Sequence, residues 1–129
     1  MNQMSADAGQ LALLDRFTDA WNAHDVDALM ACMAEDCEFM SSSGTESYGT
    51  RYRGREAVRA SYAAIFDAFP EAAWTNARHF VCGERGVSEW RFIGRDRNGH
   101  ATEVDGCDLL VFAGNLIRVK DSFRKNRMV

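Results

Sequence analysis

The chain has 129 residues, 47% hydrophobic and 26% charged, a globular composition at the length of a single domain. A formal net charge of -4 and a pI near 5.3 argue against a nucleic-acid or acidic-membrane partner. Cys32, Cys37, Cys82 and Cys107 show no C-x-x-C spacing, and His24, His79 and His100 form no close pair, so no zinc site is expected. The cysteines read as small buried hydrophobes of a reducing compartment.

Met1 to Gly9 is polar, lacks the apolar core of a signal peptide and is expected to fray, leaving residues 10–127 as one domain. Unbroken apolar runs such as Leu109 to Ala113 are too short to cross a bilayer, so the expected location is cytoplasmic, with no membrane partner. In Leu11 to Asn22, the spacing of Leu14, Phe17, Thr18 and Trp21 predicts an amphipathic helix. Asp25 is a candidate N-cap for a second, carrying Val26, Leu29, Met30 and Met33. Cys37 to Met40 suggests a short strand, and the Ser- and Thr-rich stretch from Ser41 to Arg53 reads as a long polar loop of the lid or binding type. A third helix, from about Arg55 to Ala68, presents Val58, Tyr62, Ile65, Phe66 and Phe69 until Pro70 stops it.

After Pro70 the pattern is sheet: Ala73 to Cys82, Val87 to Arg95, and the runs Thr102 to Ala113 and Leu116 to Lys125 joined at Gly114-Asn115. A three-residue Arg97-Asn98-Gly99 loop pairs Phe92 with Val104 and Trp90 with Gly106, burying both aromatics; a two-residue Asn-Gly turn would turn Glu89 and Arg91 inward instead. In the last hairpin, pairs whose numbers sum to 229 bring Phe112 to Ile117, Leu110 to Val119 and Asp108 to Asp121. Helices ahead of antiparallel strands predict an α+β fold, three N-terminal helices on a curved, mostly antiparallel sheet with a cavity between them.

Two carboxylates at about 5 Å would repel by about 3 kcal/mol at an effective dielectric of 20, so one is expected to hold a proton beside its ionised neighbour. Such a pair is a usable general acid and base, with no metal or cofactor required, and Asp108 and Asp121 are the candidate catalytic residues. Phe17, Trp21, Tyr48, Tyr52, Phe66, Trp90, Phe112 and Phe123 are the candidate walls of a pocket for an apolar small molecule. Arg78 and His79 lie on opposite strand faces, so at most one reaches the cavity. On the outer face Cys107, Leu109 and Val111 form an apolar stripe, rimmed by Arg118, Lys120 and Arg124 with Asp105 opposite Arg124, which suggests a homodimer interface.

Several strings together carry a family resemblance: Trp21-Asn22-Ala23-His24-Asp25, Ala34-Glu35-Asp36-Cys37, Tyr52-Arg53-Gly54-Arg55-Glu56-Ala57-Val58, Gly106-Cys107-Asp108-Leu109, and Gly114-Asn115-Leu116 leading to Asp121-Ser122-Phe123. The chain resembles the nuclear transport factor 2-like superfamily and, within it, SnoaL-like polyketide cyclases and their relatives. The resemblance implies a cystatin-like cone with an internal pocket, dimers through the sheet, and an acid/base pair falling on Asp108 and Asp121. In ketosteroid isomerases the oxyanion-binding Asp falls on Asp108, but their Tyr falls on Phe17 and their base on Ser41. In limonene-epoxide hydrolases one catalytic Asp falls on Asp121, while their Tyr and Asn fall on Phe39 and Ser41. An isomerase, cyclase or dehydratase, a non-catalytic ligand binder and a dimerisation domain are the functions these readings allow.

Overall fold

Leu13, Leu14, Phe17, Ala20 and Trp21 recur at helical spacing, and all are buried on one side of helix α1 (Gln3–Ala23) in the computed structural model, which describes residues 3–128. The helix thus takes in Gln3 to Gly9, expected to fray; Met1 and Asn2 lie outside the described residues. It ends at His24, whose left-handed φ of 55° breaks the spiral while its ring Nε2 donates to the Ala72 carbonyl at 2.7 Å. Asp25 then caps helix α2 (Val26–Ala31), its carboxylate accepting from the Ala28 amide at 3.0 Å.

The third helix is not part of an N-terminal group. Strands β1 (Met33–Glu46) and β2 (Gly49–Arg53) come first, and helix α3 (Arg55–Ala68) follows. The stretch expected as a loop is the far half of this hairpin: Met40 pairs with Arg51 and Ser41 with Thr50, and Gly49 (φ 82°) turns the chain. Its composition is polar because most of its side chains remain in solvent. Solvated Ser and Thr side chains are compatible with a strand once the backbone finds ladder partners.

Strands β3 (Ala73–Cys82), β4 (Arg85–Arg95), β5 (Ala101–Ala113) and β6 (Leu116–Arg124) complete a six-stranded sheet of order β2-β1-β6-β5-β4-β3. The described ladders are antiparallel except β1 with β6, which is parallel. Phe92 pairs with Val104 and Trp90 with Gly106, so the three-residue loop, with Gly99 at φ 85°, sets the register and both aromatics are buried. Helices α1 and α3 cover this face through Trp21, Tyr62, Trp74 and Phe92, each side chain contributing about 1.5–3 kcal/mol of burial. Cys32 and Cys37 are buried as expected; Cys82 is exposed and Cys107 intermediate, a correction caused by their outward positions on β3 and β5. Among the described residues no helix is long and apolar enough to cross a membrane.

The last hairpin departs from its expected register halfway along. Ala113 faces Leu116 and Phe112 faces Ile117, but Val111 faces Val119, so Arg118 is an extra residue in β6. Beyond this bulge every side chain of β6 changes face. Asp108 faces Ser122, not Asp121; Lys120, Ser122 and Arg124 point to the helices; Val119, Asp121 and Phe123 point away. The expected outer rim of Lys120 and Arg124 therefore does not exist, and Asp105 pairs instead with Arg91 at 2.8 Å. Burial of apolar groups alone would have kept Phe123 inside. Charge decides otherwise: the unbulged register sets a carboxylate against Asp108, whereas the bulge brings an ammonium group to it.

Gly106 is needed where β5 passes under Trp90, because a Cβ there would lie 2.6 Å from the indole ring. Gly106→Ala is expected to cost about 1–3 kcal/mol in urea unfolding, with altered tryptophan emission as Trp90 is displaced.

Candidate active site

Three strands bring one polar cluster together on the helix-facing side. Asp108 on β5 is buried, and its Oδ2 accepts from the Trp90 indole Nε1 at 3.0 Å. Its Oδ1 accepts from the Ser122 hydroxyl at 2.6 Å and lies 3.1 Å from Lys120 Nζ. Lys120 also donates to Ser122 Oγ at 2.7 Å, so lysine, serine and aspartate form a closed triangle. The side chains of Lys120 and Asp108 are 7% and 8% exposed, too little for water to screen the pair.

The rest of the ammonium group's surroundings is aromatic: Nζ sits 5.0 Å from the Trp21 ring centre and 4.8 Å from that of Phe39. Burial lowers the Lys120 pKa from the ordinary lysine value, against the charge and hydrogen bond of Asp108, which act to raise it. An amine so placed can exchange a proton nearer to neutrality than an exposed lysine can.

A cleft of about 180 Å³ leads to this cluster from the surface. Trp21, Trp74, Trp90, Phe39, Ile65 and Phe69 wall it, Ser41, Ser42 and Ser43 of the β1 arm stand at the rim, and Lys120, Ser122 and Arg124 project from β6. Beyond the three tryptophans and Lys120 lies an inner chamber of about 20 Å³, space for one water, bounded by Phe17, Thr18, Ser88 and Asp108. Lys120 and Ser122 therefore meet anything in the cleft, and Asp108 stands behind them. A second polar string borders the chamber: His79 Nδ1 is 2.8 Å from Ser88 Oγ, and its Nε2 is 3.4 Å from Asp15 Oδ1. Burial pushes the His79 pKa down, against the charges of Asp15 and Asp108. Arg78 faces outward beside Glu89, as the strand alternation requires. No group of three or more His, Cys, Asp or Glu that could hold a metal occurs among the described residues.

The expected site residues separate into three sets. Trp21 and Trp90 line the cleft and Phe17 the chamber. Phe66 stacks on His24 and meets Trp21 and Trp74 from the far side, Tyr52 stacks behind Phe39, and Phe112 is buried over Gly86, so these three support the core. Tyr48 is exposed at the β1–β2 turn under the Arg51 guanidinium, and Phe123, 47% exposed, lies on the outer face. Asp121 lies on that outer face opposite Leu109, so the side-by-side carboxylates are not formed. Its pKa is raised, first by partial burial and then by the charge of Asp108.

Lys120, Ser122, Arg124 and Trp74 were not among the expected site residues. Trp74 has the parity of the outward Arg78 and Phe80, and it faces inward because β3 is bulged between Thr75 and Arg78, where Asn76 takes a left-handed φ of 57°. The three β6 residues had no signal, since the bulge that aims them inward leaves no mark in the residue pattern.

Residues 14–119 match the model of a SnoaL-like domain. No curated protein matches the chain. Among solved structures, a proposed polyketide cyclase from Xanthomonas campestris pv. campestris superposes with a TM-score of 0.82 at 19% identity, covering 93% of each chain. An uncharacterised cystatin-fold protein from Novosphingobium aromaticivorans gives a TM-score of 0.74 at 19% identity, covering 89% of this chain and 97% of that one. TerC, crystallised with polyporic acid, gives 0.78 at 12% identity, covering 91% and 92%. At these identities the likeness establishes the fold.

Two outcomes follow from the cluster. Lys120→Met or Asp108→Leu alone is expected to cost about 3–5 kcal/mol in denaturant unfolding, because each strands a buried charge, while the double variant regains most of that loss. His79 stays neutral in the folded protein to a pH below its ordinary 6.5, so between that lowered value and 6.5 the unfolded chain binds more protons. Stability is therefore expected to fall on acidification from pH 7 towards 5, and urea titrations of His79→Gln should show a shallower fall.

Proposed function

We propose, since the chain belongs to the SnoaL-like domain family, that it is an enzyme of the isomerase, cyclase or dehydratase type which moves a proton on an apolar carbonyl compound held in the cleft. One observation carries the reading: a lysine buried against a carboxylate at the inner end of an aromatic cleft, where the amine and not the carboxylate faces the ligand. Fold membership alone would not carry it, because this kind of fold hosts unrelated chemistries. TerC, crystallised with polyporic acid, is an example of the fold with an organic ligand.

In the proposed cycle the neutral Lys120 amine, made accessible by burial, takes the proton from the carbon next to the substrate carbonyl. The C–H electron pair passes into the enolate, and the new ammonium charge is offset by Asp108 at 3.1 Å. The same ammonium returns the proton to another carbon for isomerisation, or to a departing hydroxyl for dehydration, which restores the amine. In a cyclisation the enolate carbon attacks a second carbonyl of the chain, and Lys120 delivers its proton to the alkoxide formed. Ser122 holds Lys120 in line through the 2.7 Å bond, and Asp108 is a positioning residue that acts through Lys120. This differs from acid/base catalysis by Asp108 and Asp121, because β6 turns Asp121 away from the cleft.

Ligand binding without turnover is the second reading. It is favoured by the saturation of Asp108, both of whose oxygens already accept bonds from Trp90 and Ser122. Hydrogen exchange distinguishes the two. With phenylacetone in D2O, followed by proton NMR, wild type is expected to accelerate loss of the α-proton signal, and Lys120→Gln and Asp108→Asn to lose about 10²–10⁴ of that acceleration. Asp121→Asn should retain it. Exchange no faster than buffer with wild type, or undiminished exchange in Lys120→Gln, would remove the catalytic reading and leave the binder.

A further inference from the structure

Arg124 is the last residue of β6, turned inward by the same bulge, and it lies where the aromatic cleft opens into a shallower groove along residues 124–127. Its guanidinium is stacked 3.9 Å from the Phe92 ring centre, which fixes its plane and removes water from one side. Among the described residues no carboxylate lies within ion-pair distance of it, and no side-chain or backbone acceptor bonds to it. The charged residues lining the cleft are Lys120 and Arg124, with Asp108 behind Lys120. With Lys120 protonated, Asp108 balances it at 3.1 Å, so one positive charge is left at the mouth of a cleft in a chain whose net charge is -4. Trp21, a wall of the same cleft, also has a buried indole N–H without an acceptor. The site thus has donors and a cation in excess and aromatic walls, and it lacks an anion.

We infer that the cleft takes a small aromatic or alicyclic carboxylate, whose ring lies among Trp21, Trp74 and Trp90 and whose carboxylate is held by the forked donors of Arg124. A guanidinium presents parallel N–H groups to both oxygens of a carboxylate, and a carboxylate bound here would restore the balance that Phe92 stacking leaves incomplete. At about 180 Å³ the cleft is below the usual range of about 300–1,000 Å³ for drug-sized ligands, so the fit is to a single ring with a short acidic arm. Further from Arg124, the carbon chain would pass Lys120. The inference narrows the substrate of the proton-transfer site proposed above to a ring-bearing acid whose carbon skeleton also carries a ketone, and it rests on that reading for its metabolic meaning, but binding itself needs no turnover.

All three tryptophans of the chain line the cleft, so their emission reports its occupancy. The probes are 3-phenylpropanoate and its neutral counterpart 3-phenylpropanol, titrated with excitation at 295 nm and checked by calorimetry. Wild type is expected to bind the acid at least about tenfold more tightly than the alcohol. Arg124→Gln should bring the two affinities together by weakening the acid alone, Arg124→Lys should keep part of the preference, and Lys125→Ala/Arg127→Ala in the exposed tail should leave it intact. Equal affinities in wild type, a preference that survives Arg124→Gln, or one lost with the tail pair would overturn the assignment. Loss of both ligands in Arg124→Gln and Arg124→Lys alike, with unchanged near-ultraviolet circular dichroism, would overturn it too, since a carboxylate anchor is not needed by the alcohol. Should wild type exchange the α-protons of neutral phenylacetone while showing no acid preference, the substrate class falls and the proton-transfer reading stands.

Discussion

A lysine and an aspartate share one buried pocket of charge in this protein, and much of the surrounding structure exists to make that tolerable. Desolvating either group alone would cost several kcal/mol, so each must find the other and must also satisfy its remaining hydrogen-bonding capacity. Trp90 and Ser122 complete the aspartate, and Ser122 with the faces of Trp21 and Phe39 completes the lysine. The Arg118 bulge is the backbone device that permits this arrangement. It trades the burial of Phe123 and Val119 for opposite charges in contact, an exchange that a purely apolar accounting would refuse.

From this constraint follow both the shape and the chemistry of the site. Because Lys120 and Ser122 lie between the cleft and Asp108, the carboxylate is shielded and the amine is presented. Because Gly106 has no side chain, the Trp90 ring can lie flat over β5 and reach Asp108. Because the bulge shifts β6 from Val119 onward, Arg124 comes to the same side and leaves the mouth of the cleft positive. A single inserted residue thus assigns the ligand-facing roles of three side chains.

The outer face is changed by the same event. Cys107, Leu109 and Val111 lie there as the alternation of β5 requires, and Val119 and Phe123 join them, so the face is more apolar and less basic than the unbulged pairing implied. Asp121 sits among them, and its partial burial raises its pKa. Side by side, Asp108 and Asp121 would set two like charges in a dry space. The fold avoids that cost by separating them across the thickness of the sheet.

Local pattern determined much of what was legible. Apolar residues at helical spacing specify α1, α2 and α3, Asp25 marks a cap, and strict alternation specifies β4 and β5, with Gly99 setting the β4–β5 register that buries Trp90 and Phe92. These are short-range effects, encoded within a few residues of where they act. The β1–β2 hairpin and the register of β6 were decided by tertiary structure. Ser41 to Arg53 has the composition of a loop and becomes a strand pair only because its backbone finds partners. In β6, Val119, Asp121 and Phe123 form as reasonable an inward set as Lys120, Ser122 and Arg124. The choice depends on the charge of Asp108 on a neighbouring strand and on the aromatic walls that α1 and β1 supply. A bulge costs one residue and leaves no periodic trace, so the side chains that face the cleft were fixed by interactions between strands and helices distant in the chain.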